Sequence, residues 1–375
     1  MHSVRRLVTL FVWGFSTLHA GCSRNAAGTD AGFSDASDTS PDSPAGDAPP
    51  PPVRHLGIEV DQPAGFDHGA QIDRATAFGV DAIQLTFPWV TFEPDGTGFK
   101  DEVLGFFEAG MTLYRNRSLH VVLSVPIIDT VATLVPSDLA GKRLDSPEVI
   151  ARAEAAIAAL LARSGSELAY LVLSNEVDIH LAQGAPTWAE LDALTGALAA
   201  KVHQLRPDVR TGISVTAGSL ARVPANPDVL AALAGHDVAF VTYYQAGNFG
   251  SASSAGIAAD LATIVAATDR PIVLKELGYP TGPALNGSET GQAAFITAAF
   301  AAWDANAARV PLVMFSRMFD GLRSDCEAQA ASYGLPGNEA FIEFLCTLGL
   351  RTYSDGEKPG WSSFMAAAQL RSFGR

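Results

Sequence analysis

Beyond residue 53 the chain alternates short apolar runs with longer segments whose apolar residues recur every third or fourth position. The short runs lie at 55–60, 82–87, 120–125, 169–174, 210–215, 238–243, 271–275 and 311–316. Several are near-continuous Val, Ile and Leu, the pattern of strands covered on both faces. Helical patterning fills 71–78, 102–114 and 147–162, and 255–267 and 288–305 are alanine-rich and helix-favouring. Thr187 ahead of Trp188-Ala189-Glu190 reads as an N-cap with Glu in its capping-box place. Eight strands alternating with helices predict an α/β protein with a parallel sheet. The count of eight predicts closure into a (β/α)8 TIM barrel, with a doubly wound open sheet as the alternative. The roughly 320 residues available suit one such barrel. The connections at 128–146 and 320–336 are long for their kind, and both follow strands on the end where barrels build their active sites.

The first 53 residues break this pattern. Arg5 and Arg6 precede an apolar stretch, 7–18, that is too short to span a bilayer. Leu18-His19-Ala20-Gly21-Cys22 then resembles a bacterial lipoprotein box, which implies lipidation of Cys22; a plain signal peptide cut near Ala20 is the alternative. Residues 23–53 are mostly Ser, Asp, Ala, Gly and Pro, with too little apolar surface to offset the entropy of ordering. The expected organisation is a lipoprotein-type signal peptide and lipobox at 1–22, a disordered acidic and proline-rich linker at 23–53, and the barrel at 54–375. The protein is therefore expected to be exported and lipid-anchored to a bacterial membrane, facing periplasm or cell surface, or else secreted.

The formal charge is −15, and setting aside the three arginines of 1–24 and the five aspartates of 25–53 leaves −13. An acidic domain argues against nucleic acid or an anionic lipid surface as partner, so contact with the membrane should come through the anchor alone. It suits an uncharged partner such as a carbohydrate. Of three cysteines, Cys326 and Cys346 remain after Cys22, and an exported chain permits a disulfide between them. No Cys-x-x-Cys or His-x-x-x-His spacing occurs, so neither a metal nor another cofactor is expected. A monomer is expected.

The chemistry concentrates where two strand-like runs end on a glutamate: Leu173-Ser174-Asn175-Glu176 and Val273-Leu274-Lys275-Glu276-Leu277-Gly278-Tyr279. Carboxylates at the C-terminal ends of the fourth and seventh strands converge across a barrel mouth. Such a pair suits glycosidic bond cleavage, one group protonating the leaving oxygen and the other attacking the sugar carbon. Glu176 is expected to be the acid/base, with a pKa raised by burial and by its neighbour's charge. Glu276 is expected to be the nucleophile, kept ionised and oriented by a phenol from Tyr243 or Tyr244 at the end of strand six. Asn175 is placed to bond a sugar hydroxyl. Trp89, after strand two, offers an aromatic face for a sugar ring, with loop packing an equal alternative. Glu59, Asp61, Glu93 and Asp129 lie near strand ends and could meet hydroxyls. Lys275, odd on a buried strand, is expected to pair with an acid behind the barrel.

These residues resemble the retaining glycoside hydrolases of clan A. Asn175-Glu176 matches that clan's acid/base motif and Glu276 its nucleophile. Glu276-Leu277-Gly278-Tyr279-Pro280-Thr281 is similar to the Glu-Thr-Gly-Trp-Pro motif of endo-β-1,3-glucanases and to the corresponding segment of endo-β-1,4-galactanases. Met314-Phe315-Ser316-Arg317-Met318-Phe319-Asp320 resembles the glucanases' strand-eight segment. The resemblance implies a two-carboxylate double-displacement mechanism on a polysaccharide or oligosaccharide. Two departures stand out. Gln84 occupies the place on strand two where many clan members carry an arginine. Phe315 or Arg317 stands where the clan often has a tryptophan. Gln84 and Arg317 are accordingly candidate substrate contacts. The same departures leave open a non-catalytic carbohydrate-binding barrel, and the same two glutamates would also serve a transglycosylase.

Overall fold

The computed structural model describes residues 53–60, 65–244, 255–371 and 373. Residues 1–52, Cys22 among them, and Asp61 lie outside them. Eight parallel strands form the barrel: β1 His55–Ile58, β2 Ala82–Thr86, β3 His120–Ser124, β4 Leu168–Val172, β5 in two pieces (Arg210–Gly212 and Ser214–Thr216), β6 Ala239–Tyr244, β7 Ile272–Gly278 and β8 Leu312–Phe315. β5 closes the ring. Its first piece pairs with β4 and its second with β6, so the sheet has no free edge and the open alternative is excluded.

Helices wrap the outside: α1 His68–Thr76, α2 Asp101–Arg115, α3 Pro147–Leu161, α4 Trp188–Leu205, α5 Pro227–Ala234, α6 Ile257–Ala267 and α7 Glu289–Ala305. Their starts are written locally. Ser146, Thr187 and Ser288 each cap a helix by accepting a backbone N–H, and Pro147 and Pro227 sit where the first turn needs no donor. The long connection after β8 is not a loop. It folds into a helical hairpin, α8 Arg323–Ser332 and α9 Glu339–Cys346, tied by the Cys326–Cys346 disulfide. The chain then closes with α10 Pro359–Leu370.

Two apolar layers hold the barrel. The larger lies between strands and helices. The smaller fills the barrel with Ala82, Val122, Tyr170, Val172, Phe240 and Met314 among others. Gly57 makes that filling possible, because a Cβ there would stand 2.4 Å from the Met314 sulfur. Phe315 faces outward and packs against Phe300 and Phe364, so only Arg317 of the pair flagged on strand eight belongs to the mouth.

Candidate active site

Leu171 and Leu173 are outward, buried residues of β4 and its extension, and after them the backbone turns sharply. Glu176 adopts φ 45°, ψ 46°, a left-handed conformation that costs a non-glycine residue about 1 kcal/mol or more. Two braces over-determine it. A short hairpin of strands Ile128–Asp129 and Ala132–Thr133 pairs with Asn175, and the Thr130 N–H donates to the Asn175 carbonyl at 3.1 Å. On the other side Asp178 accepts from the Thr216 N–H at 2.9 Å and from its hydroxyl at 2.5 Å, tying the turn to the end of β5.

The Glu176 carboxyl is held by two hydroxyls, Thr130 at 2.8 Å and Thr242 at 2.7 Å. Burial and the charge of Glu276 outweigh these bonds and raise its pKa to about 7. The group therefore carries a proton near neutrality.

Glu276 is driven the other way. Burial pushes its carboxyl up, but the charge and hydrogen bond of Lys275, the Tyr244 hydroxyl and the charge of Arg317 more than offset this and hold it below the ordinary value. Tyr244 donates to Glu276 Oε2 at 2.8 Å. Its own hydroxyl is pushed well above the usual phenol range by burial and by the Glu276 charge, so it remains a donor.

Contrary to expectation, Lys275 does not face an acid behind the barrel. Its ammonium is buried in the mouth, donating to Asn175 Oδ1 at 2.8 Å and to Glu276 Oε1. Strands alternate faces, so two neighbours cannot both point inward unless the register slips. β7 does slip. Leu274 pairs with Val241 while Glu276 pairs with Thr242, so β7 carries one residue more than β6 across this stretch. Lys275 thus supplies, from the adjacent position, the cation that Gln84 does not. Gln84 makes no hydrogen bond to either glutamate among the described residues, and its Oε1 is buried without a protein partner.

The remaining candidates separate cleanly. Asn175 is in place, its Nδ2 donating to Asp129 at 2.9 Å. Asp129 is raised by burial despite that bond. Arg317 lies at the mouth, 3.9 Å from Glu59. Tyr243 does not touch Glu276; it points outward and donates to Asp260 at 2.6 Å. Trp89 is 1 % exposed, and its indole N–H is spent on Glu93 at 2.6 Å, so it has no face to offer a sugar. Glu93 itself is buried and paired with Arg152 at 2.7 Å.

Three contributors escape a sequence reading. Thr242 sits two residues before Tyr244, and period-two alternation from that tyrosine would have found it. Thr130 carries no such signal. Tyr333 directly follows α8; burial and then the charges of Asp129, Glu176 and Glu276 push its hydroxyl up, so it is near enough to feel the carboxylates of the site. Its hairpin partner Phe344 meets Tyr244 edge-on with ring centroids 4.9 Å apart. The α8–α9 hairpin therefore walls one side of the mouth.

No family model and no curated protein matches the chain. Solved structures do. A GH5_18 protein from Streptomyces cattleya, in complex with GlcNAc, superposes with a TM-score of 0.66 at 17% identity, covering 86% of this chain and 81% of that one. A GH5_18 variant from Bifidobacterium longum subsp. longum, in complex with Manβ1-4GlcNAc, gives 0.65 at 17% identity over 85% and 79%. The exo-β-1,4-mannosidase Op5Man5 from Opitutaceae bacterium strain TAV5 gives 0.67 at 16% identity over 87% of this chain and 61% of that one. At these identities the shared property is the β/α-barrel fold.

Proposed function

We propose that this chain is a retaining β-glycoside hydrolase in which Glu276 is the nucleophile and Glu176 the general acid/base. The observation that carries the reading is the opposed tuning of two half-buried, mutually interacting glutamates at the ends of β4 and β7: one protonated near neutral pH, the other ionised. In the first step the Glu276 carboxylate bonds to the anomeric carbon as the glycosidic C–O bond breaks, and Glu176 gives its proton to the departing oxygen. In the second, Glu176, now a carboxylate, takes a proton from water, whose oxygen displaces Glu276. Asn175, fixed by Lys275 and Asp129, is positioned to bond a hydroxyl beside the reacting carbon. The GH5_18 and mannosidase barrels direct the substrate reading toward short β-mannosides, and a mouth walled on one side by the α8–α9 hairpin favours terminal residues over internal ones.

The test incubates the protein and its Glu276→Gln variant with Manβ1-4GlcNAc, β-1,4-mannooligosaccharides and a panel of β-linked glucans, galactans and xylans. Release of sugar by the wild type alone, and azide rescue of Glu276→Ala, is the expected result. Release undiminished in Glu276→Gln would overturn the assignment. Longer products in place of hydrolysis would mark a transglycosylase using the same pair. Saturable binding of a glycan without turnover would mark a binding barrel.

A further inference from the structure

At the opposite end of the barrel, where β1, β2 and β3 begin, two imidazoles and a carboxylate meet without any role in the chemistry above. One nitrogen each of His55 and His120 and one oxygen of Asp81 lie within 4.8 Å of one another, and all three side chains are half-buried. The backbones that carry them are fixed. The Asp81 N–H donates to Leu56 O at 2.9 Å, its carbonyl accepts from the His120 N–H at 2.8 Å, and the His55 N–H donates to Pro311 O at 2.8 Å. The carboxylate is aimed as well, since Asp81 Oδ1 accepts the Leu56 N–H at 2.9 Å. Its Oδ2 is left for His55 Nδ1, 2.8 Å away. A proton shared by His55 and Asp81 explains that pair. It does not explain His120, whose ring makes no hydrogen bond among the described residues and lies against the His55 ring, centroids 4.1 Å apart and tilted by 56°.

We propose that His55, Asp81 and His120 form a divalent-cation site of the zinc class, with solvent as the further ligand. Two imidazoles and one carboxylate are a donor set that borderline cations take readily, and a tetrahedral ion holds its donors about 3.3 Å apart, a small rotation from the positions observed. The Leu56 N–H orients the carboxylate from behind, as outer groups do at metal centres. The ligands come from three adjacent strands at the point where the chain enters the barrel. A bound ion pins the beginning of β1, which follows the proline run of the linker, to β2 and β3.

The protein without affinity histidines, stripped with chelator, is titrated with Zn2+ and separately with Co2+. The expected result is one equivalent of Zn2+ bound with a Kd of about 10 µM or tighter, and a thermal midpoint that rises with the ion and returns with chelator. Co2+ should give visible absorption bands that Zn2+ removes. His120→Ala and Asp81→Asn should weaken uptake about tenfold or more and abolish the bands. If either fails to fold, His120→Gln and the wild-type cobalt spectrum decide. No uptake with up to about 100 µM free Zn2+, or uptake unchanged in His120→Ala or His120→Gln, would overturn the proposal and leave a hydrogen-bonded His–Asp pair.

Discussion

Glu176 holds its proton up to about pH 7, and this has two measurable sides. The basic limb of the kcat/KM profile should fall with a midpoint about 7, and the acidic limb should fall below the ordinary carboxylate range, where Glu276 takes up a proton. A profile flat through pH 8 would remove Glu176 from the acid role. Stability follows the same proton. Between pH 4.5 and 7 the folded chain keeps a proton that the unfolded chain has released, so this group's contribution declines as pH rises through that window. Glu176→Gln should therefore abolish turnover yet stabilise the fold by about 1–2 kcal/mol above pH 7, read from denaturant midpoints. Lys275→Met leaves the half-buried Glu276 without its nearest cation; kcat should drop about a hundredfold or more, and the acidic limb should move to higher pH. An unshifted limb would show that Arg317 and Tyr244 suffice. Both glutamates were legible because strand ends in a barrel are chemically privileged positions. Lys275 was not, since sequence alternation assigns it the face opposite to Glu276, and only the register slip reverses that. Trp89 misled for a related reason: an aromatic after a strand reads alike whether it lines a cleft or plugs the wall beneath it.

At the scale of elements, the α8–α9 hairpin does most to distinguish this mouth. Its disulfide closes a loop of 20 residues in sequence separation, small enough that its removal should cost about 3 kcal/mol in the chain-entropy model. The hairpin packs mainly on itself through Phe341, Ile342 and Leu345, and reaches the site through Tyr333 and Phe344. A Cys326→Ser, Cys346→Ser double variant should accordingly unfold at lower temperature and raise KM more than it lowers kcat. An unchanged KM would show that the hairpin does not bound the substrate site. The sequence marked 320–336 as long, but α8 has weak apolar periodicity and a mean composition too polar to announce a helix. α5, with only eight residues, is too short for apolar periodicity to announce it. By contrast the strands, apolar on both faces, were readable to within two or three residues at each end.

For the whole molecule, closure rests on β5, the least apolar run of the eight, which is split at Ile213 and pairs with a different neighbour through each piece. Its count was visible in the sequence; its two-sided pairing was not, because pairing is decided by neighbours distant along the chain. We propose that the acidic domain works at the end of a lipid tether through Cys22; among the described residues no helix is long and apolar enough to cross a membrane. Expressed in a lipoprotein-processing bacterium, the native chain should sediment with membranes and incorporate labelled fatty acid, and Cys22→Ser should do neither. Fatty-acid labelling retained in Cys22→Ser would refute the anchor.

The extra residue in β7 has a consequence for how this site could change over time or in the laboratory. A nucleophile whose counter-charge sits on a neighbouring strand is a two-part device, and drift in either part disables it. Here seven consecutive residues, Ile272–Gly278, carry the carboxylate, its balancing ammonium and the backbone kink that turns both inward. Moved as one cassette, it would carry carboxylate and ammonium together, while the Tyr244 hydroxyl on β6 and the charge of Arg317 would have to be supplied by the host barrel.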